Sequence, residues 1–337
     1  MPRPTPTTIL TTVIEDDFEG PLSKIWRVET AQGRSYSLNL VDSPEESGKA
    51  ARFELHSDDP YVAGNVRAEL ASPSGEPGVE RWYYFSIYIP EDWEFDHQSE
   101  VFAQWHPVPD KDLGEQTAEG PPLIMYIDGN QISITNRSDP AAVTSADSPT
   151  RRAEMVWEGA YEKGEWIDWA VRVKWSYESD GILQIWKDEQ LLVDQKGPNS
   201  YNDARSPYLK LGIYKFVWKP PAWLKPEDYS RVDERVLYLD DVLIQEVVES
   251  PDSSDGNGSQ DGGSDGGGSQ DDGSQGGGSQ DGGSQGGGSQ DGGSQGSGSQ
   301  DDGSQDDGSQ DGGSQDGGID ETPTRILGTR KGDRHVG

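Results

Sequence analysis

Residues 165–195 read EWIDWAVRVKWSYESDGILQIWKDEQLLVDQ, and this stretch decides the fold class. Apolar side chains alternate with polar ones through much of residues 165–176 and again through residues 181–195. That period of two is typical of β-strands with one buried face. Asp180-Gly181 and residues 187–189 (Lys-Asp-Glu) supply turn chemistry between the runs. The stretch therefore predicts antiparallel strands joined by short turns.

The same kind of pattern recurs outward from this stretch in both directions. Further runs that alternate, or that are rich in β-branched and aromatic residues, lie at residues 82–90, 101–107, 122–136, 208–216 and 235–248. No window has a long 3.6-residue period, so helices are not expected. Strands at this spacing predict an all-β fold, a two-sheet antiparallel β-jelly roll of the concanavalin-like sandwich type. Phe18 and residues 238–241 are expected to bring the two ends of this region together.

Composition divides the chain into four parts. Residues 1–14 are expected to form an N-terminal extension, and residues 15–250 the β-jelly-roll domain, which would hold any catalytic site. Residues 251–318 contain Gly, Ser, Gln and 14 Asp but no Lys or Arg, which predicts a disordered acidic low-complexity linker. A calcium-binding β-roll would require an aliphatic residue in each repeat, and none occurs there. Residues 319–337 regain aliphatic and basic residues and are expected to begin a further, truncated module.

Charge and composition exclude several functional classes. The chain of 337 residues has a net charge of −34, no cysteine and four histidines. An acidic surface repels phosphate backbones, so we expect no nucleic-acid partner. The sequence has no apolar run long enough to span a bilayer, so no membrane partner is expected either. The absence of cysteine excludes disulfides and thiolate metal sites. We expect a secreted monomer, although residues 1–12 lack the apolar core of a signal peptide.

Three of the predicted strands carry polar residues along one face. Because side chains alternate, Gln104 and His106 share a face in the segment QWH, while Trp105 points the other way. Gly212 lies in the middle of one polar row and leaves space for a close approach to the backbone. Such faces are often only solvated surface or simple ion pairs. The polar-face residues are Arg67, Glu69, Gln104, His106, Tyr208, Lys210, Gly212 and Tyr214.

These three segments together resemble the signature strands of one enzyme family. RAEL at 67–70, QWH at 104–106 and YLKLGIY at 208–214 are similar to motifs of jelly-roll polysaccharide lyases, in this order along the chain. The alginate-lyase relatives carry R-[ST]-E, Q-[IV]-H and Y-F-K-x-G-x-Y. Ala68, Trp105 and Leu209 depart from that pattern. The resemblance is closer to the glucuronan-lyase and heparin-lyase-I-like group.

The resemblance implies β-elimination on a uronic-acid-containing polysaccharide, glucuronan above all. Gln104, assisted by Arg67, would hydrogen-bond the substrate carboxylate and stabilise the charge that develops when the C5 proton leaves. His106 would act as the base and Tyr214 as the acid that protonates the leaving oxygen. Tyr214 could also serve in both roles. The scheme requires no metal or organic cofactor.

An anionic polysaccharide requires a local basic surface within this acidic chain. Residues expected to bind substrate are Glu69, Tyr208, Lys210, Lys215, Trp218 and Lys219. Trp223 lies in the same Pro-rich segment, where aromatic faces could stack on sugar rings.

Two other functions and one metal site are also compatible with the sequence. A glycoside hydrolase on the same sandwich would need two carboxylates about 5–10 Å apart, and no E-x-D-x-E run occurs in residues 1–250. A non-catalytic carbohydrate-binding module would need no Gln, His and Tyr set. A structural Ca²⁺ could bind where residues 15–17 meet Asp240 and Asp241, because carboxylates suit that ion.

Overall fold

The computed structural model describes residues 9–115, 120–220 and 224–248, which form two packed antiparallel β-sheets. The strands are β1 Ile9–Asp16, β2 Arg27–Glu29, β3 Leu38–Asp42, β4 Lys49–His56, β5 Arg67–Ala71, β6 Glu80–Tyr88, β7 Glu100–His106, β8 Leu123–Asp128, β9 Gln131–Ser138, β10 Arg152–Ala160, β11 Trp166–Lys174, β12 Ile182–Lys187, β13 Gln190–Lys196, β14 Tyr208–Tyr214 and β15 Glu234–Val248. Three short 3-10 segments lie at Lys111–Leu113, Phe216–Trp218 and Pro226–Asp228. Within the described ranges no helix has the length and apolar character of a membrane span.

Strand order shows how the chain is distributed between the sheets. The eight-stranded sheet has the order β13-β12-β11-β6-β15-β4-β3, and β1 also pairs with β15. The seven-stranded sheet has the order β10-β9-β8-β7-β14-β5-β2. Neighbouring strands of the second sheet, such as β7, β14 and β5, are far apart in the sequence. The sheet therefore brings together segments that no local pattern could connect.

Alternation of polar and apolar residues explains why residues 165–195 form strands. β11 alternates strictly between partly buried and buried residues, which directs Ile167, Trp169, Val171 and Val173 inward. β12 and β13 form a hairpin whose turn residues Asp188 and Glu189 have φ values of 47° and 68°. Positive φ at both central positions is the geometry of the tight turns that match strand twist. The predicted strands and turn of this stretch are confirmed.

The two ends of the sandwich meet as predicted. β1 runs antiparallel to β15, with Ile9 opposite Val248 and Asp16 opposite Val242. Six residues that we assigned to an N-terminal extension, residues 9–14, therefore belong to a sheet. They are mixed Ile, Leu, Val and Thr, and their strand character depends on the distant partner β15.

The hydrophobic core lies between the two sheets and defines their outward faces. Its largest fully buried side chains include Trp105, Trp169, Tyr83, Phe53 and Phe85. In β14 the core side is Leu209, Leu211 and Ile213, so the alternate residues face outward. We call the outward face of the seven-stranded sheet the site face. The all-β, two-sheet antiparallel jelly roll is confirmed, whereas the linker at 251–318 and the module at 319–337 lie outside the described residues.

Candidate active site

Three adjacent strands of the seven-stranded sheet carry the polar residues identified from the sequence. β14 lies between β7 and β5, and its outward residues pair in register with outward residues of both neighbours. The opposed positions are Tyr208 with His106, Lys210 with Gln104, Gly212 with Glu69, and Tyr214 with Arg67. The predicted convergence of the three motifs on one face is therefore present in the fold.

Glu69 is the centre of a hydrogen-bonded network on the site face. Its Oε1 accepts a hydrogen bond of 2.5 Å from Nε2 of Gln104. Its Oε2 accepts from Nζ of Lys210 at 2.8 Å and from Nη1 of Arg67 at 3.1 Å. All four side chains are nearly inaccessible to solvent, from 1% exposed for Lys210 to 7% for Arg67. Glu69 thus fixes the orientation of the amide and both cations, which is a positioning task.

Glu29 belongs to this network, although no sequence pattern pointed to it. Its Oε2 lies 2.7 Å from Nζ of Lys210, and its Oε1 accepts two hydrogen bonds from Arg27. Burial opposes ionisation of Glu29, but Lys210 and Arg27 outweigh it and lower the pKa of this carboxyl. β2 has only three residues, too few for a periodic signal, and its pairing with β5 is what places Glu29 here.

His106 is held as a neutral imidazole with a defined tautomer. Its Nδ1 lies 2.9 Å from the carbonyl oxygen of Pro107, and because a carbonyl can only accept, Nδ1 carries the hydrogen. In the neutral ring, Nε2 is then the nitrogen with the lone pair. Burial is the largest influence and lowers the pKa of His106 from its ordinary value of 6.5, with Lys210 acting in the same direction. At neutral pH this geometry presents a base.

The two tyrosines of β14 have different partners on the site face. The ring of Tyr208 lies against His106 with centroids 5.3 Å apart. The ring of Tyr214 lies under the guanidinium of Arg67, with Cζ 4.2 Å from the centroid, and its hydroxyl accepts from Nδ2 of Asn65 at 3.3 Å. Sheet register thus places Tyr208, rather than Tyr214, directly opposite His106. Tyr214 is linked to the other site residues by its ring contact with Arg67.

Gly212 leaves space for the backbone of β5 rather than for a ligand. It has a φ of 137°, and a Cβ built on it would lie 2.2 Å from the carbonyl oxygen of Ala68 and 3.0 Å from Cα of Glu69. Any side chain here would push β14 away from β5. The pairing register is irregular between Leu211 and Tyr214, beside β7. The glycine therefore allows the close approach of the two strands that carry Glu69 and Tyr214.

Lys215 was expected to bind substrate, but the structure places it elsewhere. Its side chain is fully buried, and Nζ lies 2.8 Å from Oδ2 of Asp96 and 2.5 Å from Oε2 of Glu100. Glu100 also accepts from Nε of Arg235 at 2.7 Å. Residue 215 follows Tyr214 directly, so alternation turns its side chain away from the site face. We therefore leave Lys215 out of the proposed site.

Trp218 and Lys219 lie beyond the end of β14. Nε1 of Trp218 donates to Oγ of Ser230 at 3.1 Å and to the carbonyl oxygen of Val232 at 3.0 Å, and the ring packs partly on the core. The exposed Lys219 donates to the carbonyl oxygen of Gly64 at 2.8 Å. Trp218 is thus held mainly by its own fold, whereas Lys219 retains an accessible charge. Trp223 lies outside the described residues.

Asp16, one of the carboxylates of the expected calcium position, has hydrogen-bond partners within its own turn. The carboxylate of Asp16 accepts from Nε1 of Trp26 at 2.9 Å and from two backbone N–H groups, so it organises the turn after β1. Within the described part of the chain, the one group of potential metal ligands with closely spaced donor atoms is Glu54, His56 and Glu234, on the opposite, eight-stranded sheet. A structural Ca²⁺ beside Asp16 stays a prediction.

Comparison with known families identifies the class of protein. The family model described as polysaccharide lyase matches residues 18–243, which include all the candidate residues of the site face. The chain belongs to the polysaccharide lyase family. It is an enzyme of that class, as the three motifs predicted. The comparison with curated proteins found no match.

Solved structures agree with the fold. The endo-β-1,4-glucuronan lyase of the fungus Trichoderma reesei matches with a TM-score of 0.58 and 18% identity, over 69% of this chain and 95% of that one. An exolytic alginate lyase from Zobellia galactanivorans matches with a TM-score of 0.46 and 12% identity, over 70% and 99% of the two chains. At such identities the first likeness supports the jelly-roll fold, and the second adds no argument.

Proposed function

We propose that this polysaccharide lyase cleaves a glucuronan-like polymer of uronic acids by β-elimination. The main support is that the imidazole of His106, neutral and with its lone pair on Nε2, lies on the same face as the network that holds an amide and two cations. β-Elimination needs both parts, because a base must take the C5 proton while polar groups stabilise the charge that moves onto the adjacent carboxylate.

Each step of the reaction has a candidate group on the site face. The C5–H bond breaks and its proton passes to Nε2 of His106. The electron pair forms the C4–C5 double bond as the C4–O bond breaks, and the leaving oxygen receives a proton from a tyrosine hydroxyl of β14. The motif resemblance implies Tyr214 for this role, whereas the ring that lies beside His106 is that of Tyr208. Gln104 and Arg67 would face the substrate carboxylate, where charge accumulates.

Hydrolysis by a carboxylate pair is less well supported. Glu29 and Glu69 both contact Nζ of Lys210, so the site face does hold two neighbouring carboxyl groups. A hydrolase needs one of its pair protonated as a general acid, with a raised pKa. Here the pKa of Glu29 is lowered, and Glu69 accepts hydrogen bonds from two cations and an amide. Both carboxyls are therefore suited to positioning cations.

The experiment is an ultraviolet assay for the unsaturated uronate that elimination leaves. Wild-type enzyme should produce this absorbance with glucuronan, and the screen should include alginate, ulvan and heparin-type polymers. His106→Ala should lower kcat/KM by about 10²–10⁴-fold, the usual contribution of a general base, while circular dichroism stays unchanged. Reducing ends without ultraviolet absorbance would indicate hydrolysis, and near wild-type turnover in the variant would remove His106 from the mechanism.

The same assay distinguishes the two tyrosines. Tyr214→Phe should abolish nearly all elimination if Tyr214 is the acid, as the motif resemblance implies. Tyr208 is the second candidate because its ring is the one that contacts His106. Tyr208→Phe is therefore the matched variant, and a larger loss there than in Tyr214→Phe would transfer the acid role to Tyr208.

Secretion, a monomeric state and the lack of nucleic-acid and membrane partners are parts of the same proposal. The net charge of −34 supports the monomeric state and the lack of a nucleic-acid partner, because it favours solubility and repels phosphate.

A further inference from the structure

Arg137 is a cation on the site face that makes no ion pair with a carboxylate anywhere in the described ranges. It lies on β9, where Ile132 and Ile134 face the core and the alternate residues face outward. Its Nη1 donates to the carbonyl oxygen of Pro121 at 3.1 Å, and its Nη2 donates to the hydroxyl of Tyr126 at 3.4 Å. The side chain is only half-buried. A guanidinium has five N–H donors, so these two contacts orient it, and among the described residues three of its donors remain for a ligand.

The register of the sheet places this guanidinium beside the candidate active site. Ile124 on β8 pairs with Gln104 on one side and with Thr135 on the other. Tyr126 lies two residues from Ile124 along β8, and Arg137 lies two residues from Thr135 along β9, all on the same face. Because the strands are antiparallel, Tyr126 and Arg137 are on opposite sides of the Ile124–Thr135 pair, and the hydrogen bond between their side chains passes over it. Neighbouring strands are about 4.8 Å apart, which puts the guanidinium roughly 5–10 Å to the side of Gln104.

The charge around Arg137 differs from that around the other cations of this face. Arg67 and Lys210 each contact Glu69, and Arg27 contacts Glu29, so those cations are largely compensated before any substrate arrives. Within residues 9–115, 120–220 and 224–248, the side-chain hydrogen bonds of Arg137 go to neutral oxygens. A polyuronate carries a negative charge on each acidic sugar, and an uncompensated cation attracts it more than a compensated one. Carboxylates also bind guanidinium groups bidentately.

We propose that Arg137 binds the carboxylate of the sugar next to the one that loses its proton. The polymer then crosses the strands, with one acidic sugar over Gln104 and His106 and its neighbour over β8 and β9. This inference rests on the proposed function and deepens it, since the preferred substrate must carry uronic acids on consecutive sugars.

The test compares Arg137→Ala with Arg152→Ala, a control that removes the same charge from an exposed position on the adjacent strand β10. Calorimetric affinity for a saturated glucuronate oligomer and kcat/KM on glucuronan should both fall by about 10–100-fold in Arg137→Ala, the usual effect of losing a charged hydrogen bond. Arg152→Ala should stay within about twofold of wild type. Arg137→Lys should recover only part of the loss, because lysine lacks the planar fork.

A second substrate tests whether Arg137 recognises the carboxylate of the neighbouring sugar. Partial reduction of the carboxyl groups of glucuronan leaves few consecutive uronates, so the penalty of Arg137→Ala should shrink on that polymer. If Arg137→Ala lowers kcat/KM equally on both polymers, or if the two alanine variants have equal effects, the inference about Arg137 is overturned. The proposed function would still stand in that case, provided that the wild-type enzyme forms unsaturated product. A wild-type enzyme that neither binds the oligomer nor forms unsaturated product would overturn both.

Discussion

The imidazole of His106 shows how a single hydrogen bond and burial prepare a residue for proton transfer. The Pro107 carbonyl fixes the hydrogen on Nδ1, and burial disfavours the charged ring. A histidine in open solvent would be partly protonated at slightly acidic pH and would then have no lone pair to offer. The lowered pKa thus favours the neutral ring of His106 under conditions where an exposed histidine would begin to be protonated.

We predict that the acid limb of the kcat/KM profile has its midpoint below pH 6.5. The lowered pKa of His106 means that the neutral form persists as pH falls, and activity is lost only when pH drops through that lowered value. Initial rates on soluble glucuronan between pH 4 and pH 8 would measure it, with circular dichroism at each pH to exclude unfolding. A midpoint above 6.5 would mean that the charged ring is favoured and that burial does not dominate.

Residues differ in how far the sequence predicted their roles. Gln104, His106, Arg67 and Glu69 could be assigned to one face because alternation within each strand is a local property. Glu29 could not, since its position depends on the pairing of a three-residue strand. The partners of His106 and Tyr214 were also outside the reach of sequence, because they follow from the register between strands.

At the scale of elements, the side chains of β14 and of the residue after it lie in two different environments. Tyr208, Lys210 and Tyr214 face the site, whereas Lys215 enters a buried ion cluster with Asp96, Glu100 and Arg235. Burial raises the pKa of Glu100 in spite of its two cationic partners. Hydrogen bonds from Lys215 and Ser230 instead outweigh burial at Asp96 and lower its pKa. The cluster anchors the end of β14 next to the site.

We predict that Lys215→Ala destabilises the fold by about 3–5 kcal/mol, because it leaves buried carboxylates without their cation. Denaturant unfolding followed by tryptophan fluorescence would measure the free energy of unfolding. Lys219→Ala is the matched control: this lysine is exposed, and its loss should change stability by no more than about 0.5 kcal/mol. Equal effects of the two substitutions would show that the buried cluster contributes little.

Strand alternation by itself argues against a substrate-binding role for Lys215. A residue adjacent to Tyr214 must point to the opposite face if the strand continues. The prediction instead followed charge, since lysines near the tyrosine strand suited an anionic substrate. What the sequence could not show is that Asp96 and Glu100 would make burial of that lysine favourable.

At the scale of the whole molecule, the sandwich is closed by strands from opposite ends of the described chain. β15 lies between β6 and β1 along its second half, and β1 therefore satisfies the backbone of β15 on that side. The residues described for the site face lie between Arg27 and Lys219, within the family match. Stability and catalysis are thus expected to respond differently to truncation at the two ends.

We predict that a chain ending at residue 249 keeps the wild-type kcat/KM and a Tm within about 2 °C of wild type. A chain lacking residues 1–15 should lose more than about 5 °C, because β15 then exposes unpaired backbone groups along its edge. Scanning calorimetry and the elimination assay would test both chains. A large loss of stability on removing residues 250–337 would contradict the prediction and assign a structural role to that segment.

The sequence by itself determined that this protein is a β-sandwich and which residue types could perform elimination, because alternation, turn chemistry and short motifs are local properties. Only the tertiary structure decided that Tyr208 lies against His106, that Glu29 joins Glu69 around Lys210, and that Arg137 stands beside Gln104. The physical reason is strand pairing. Residues 67–71, 100–106 and 208–214 become neighbours through backbone hydrogen bonds, and the register of those bonds sets every side-chain distance in the site.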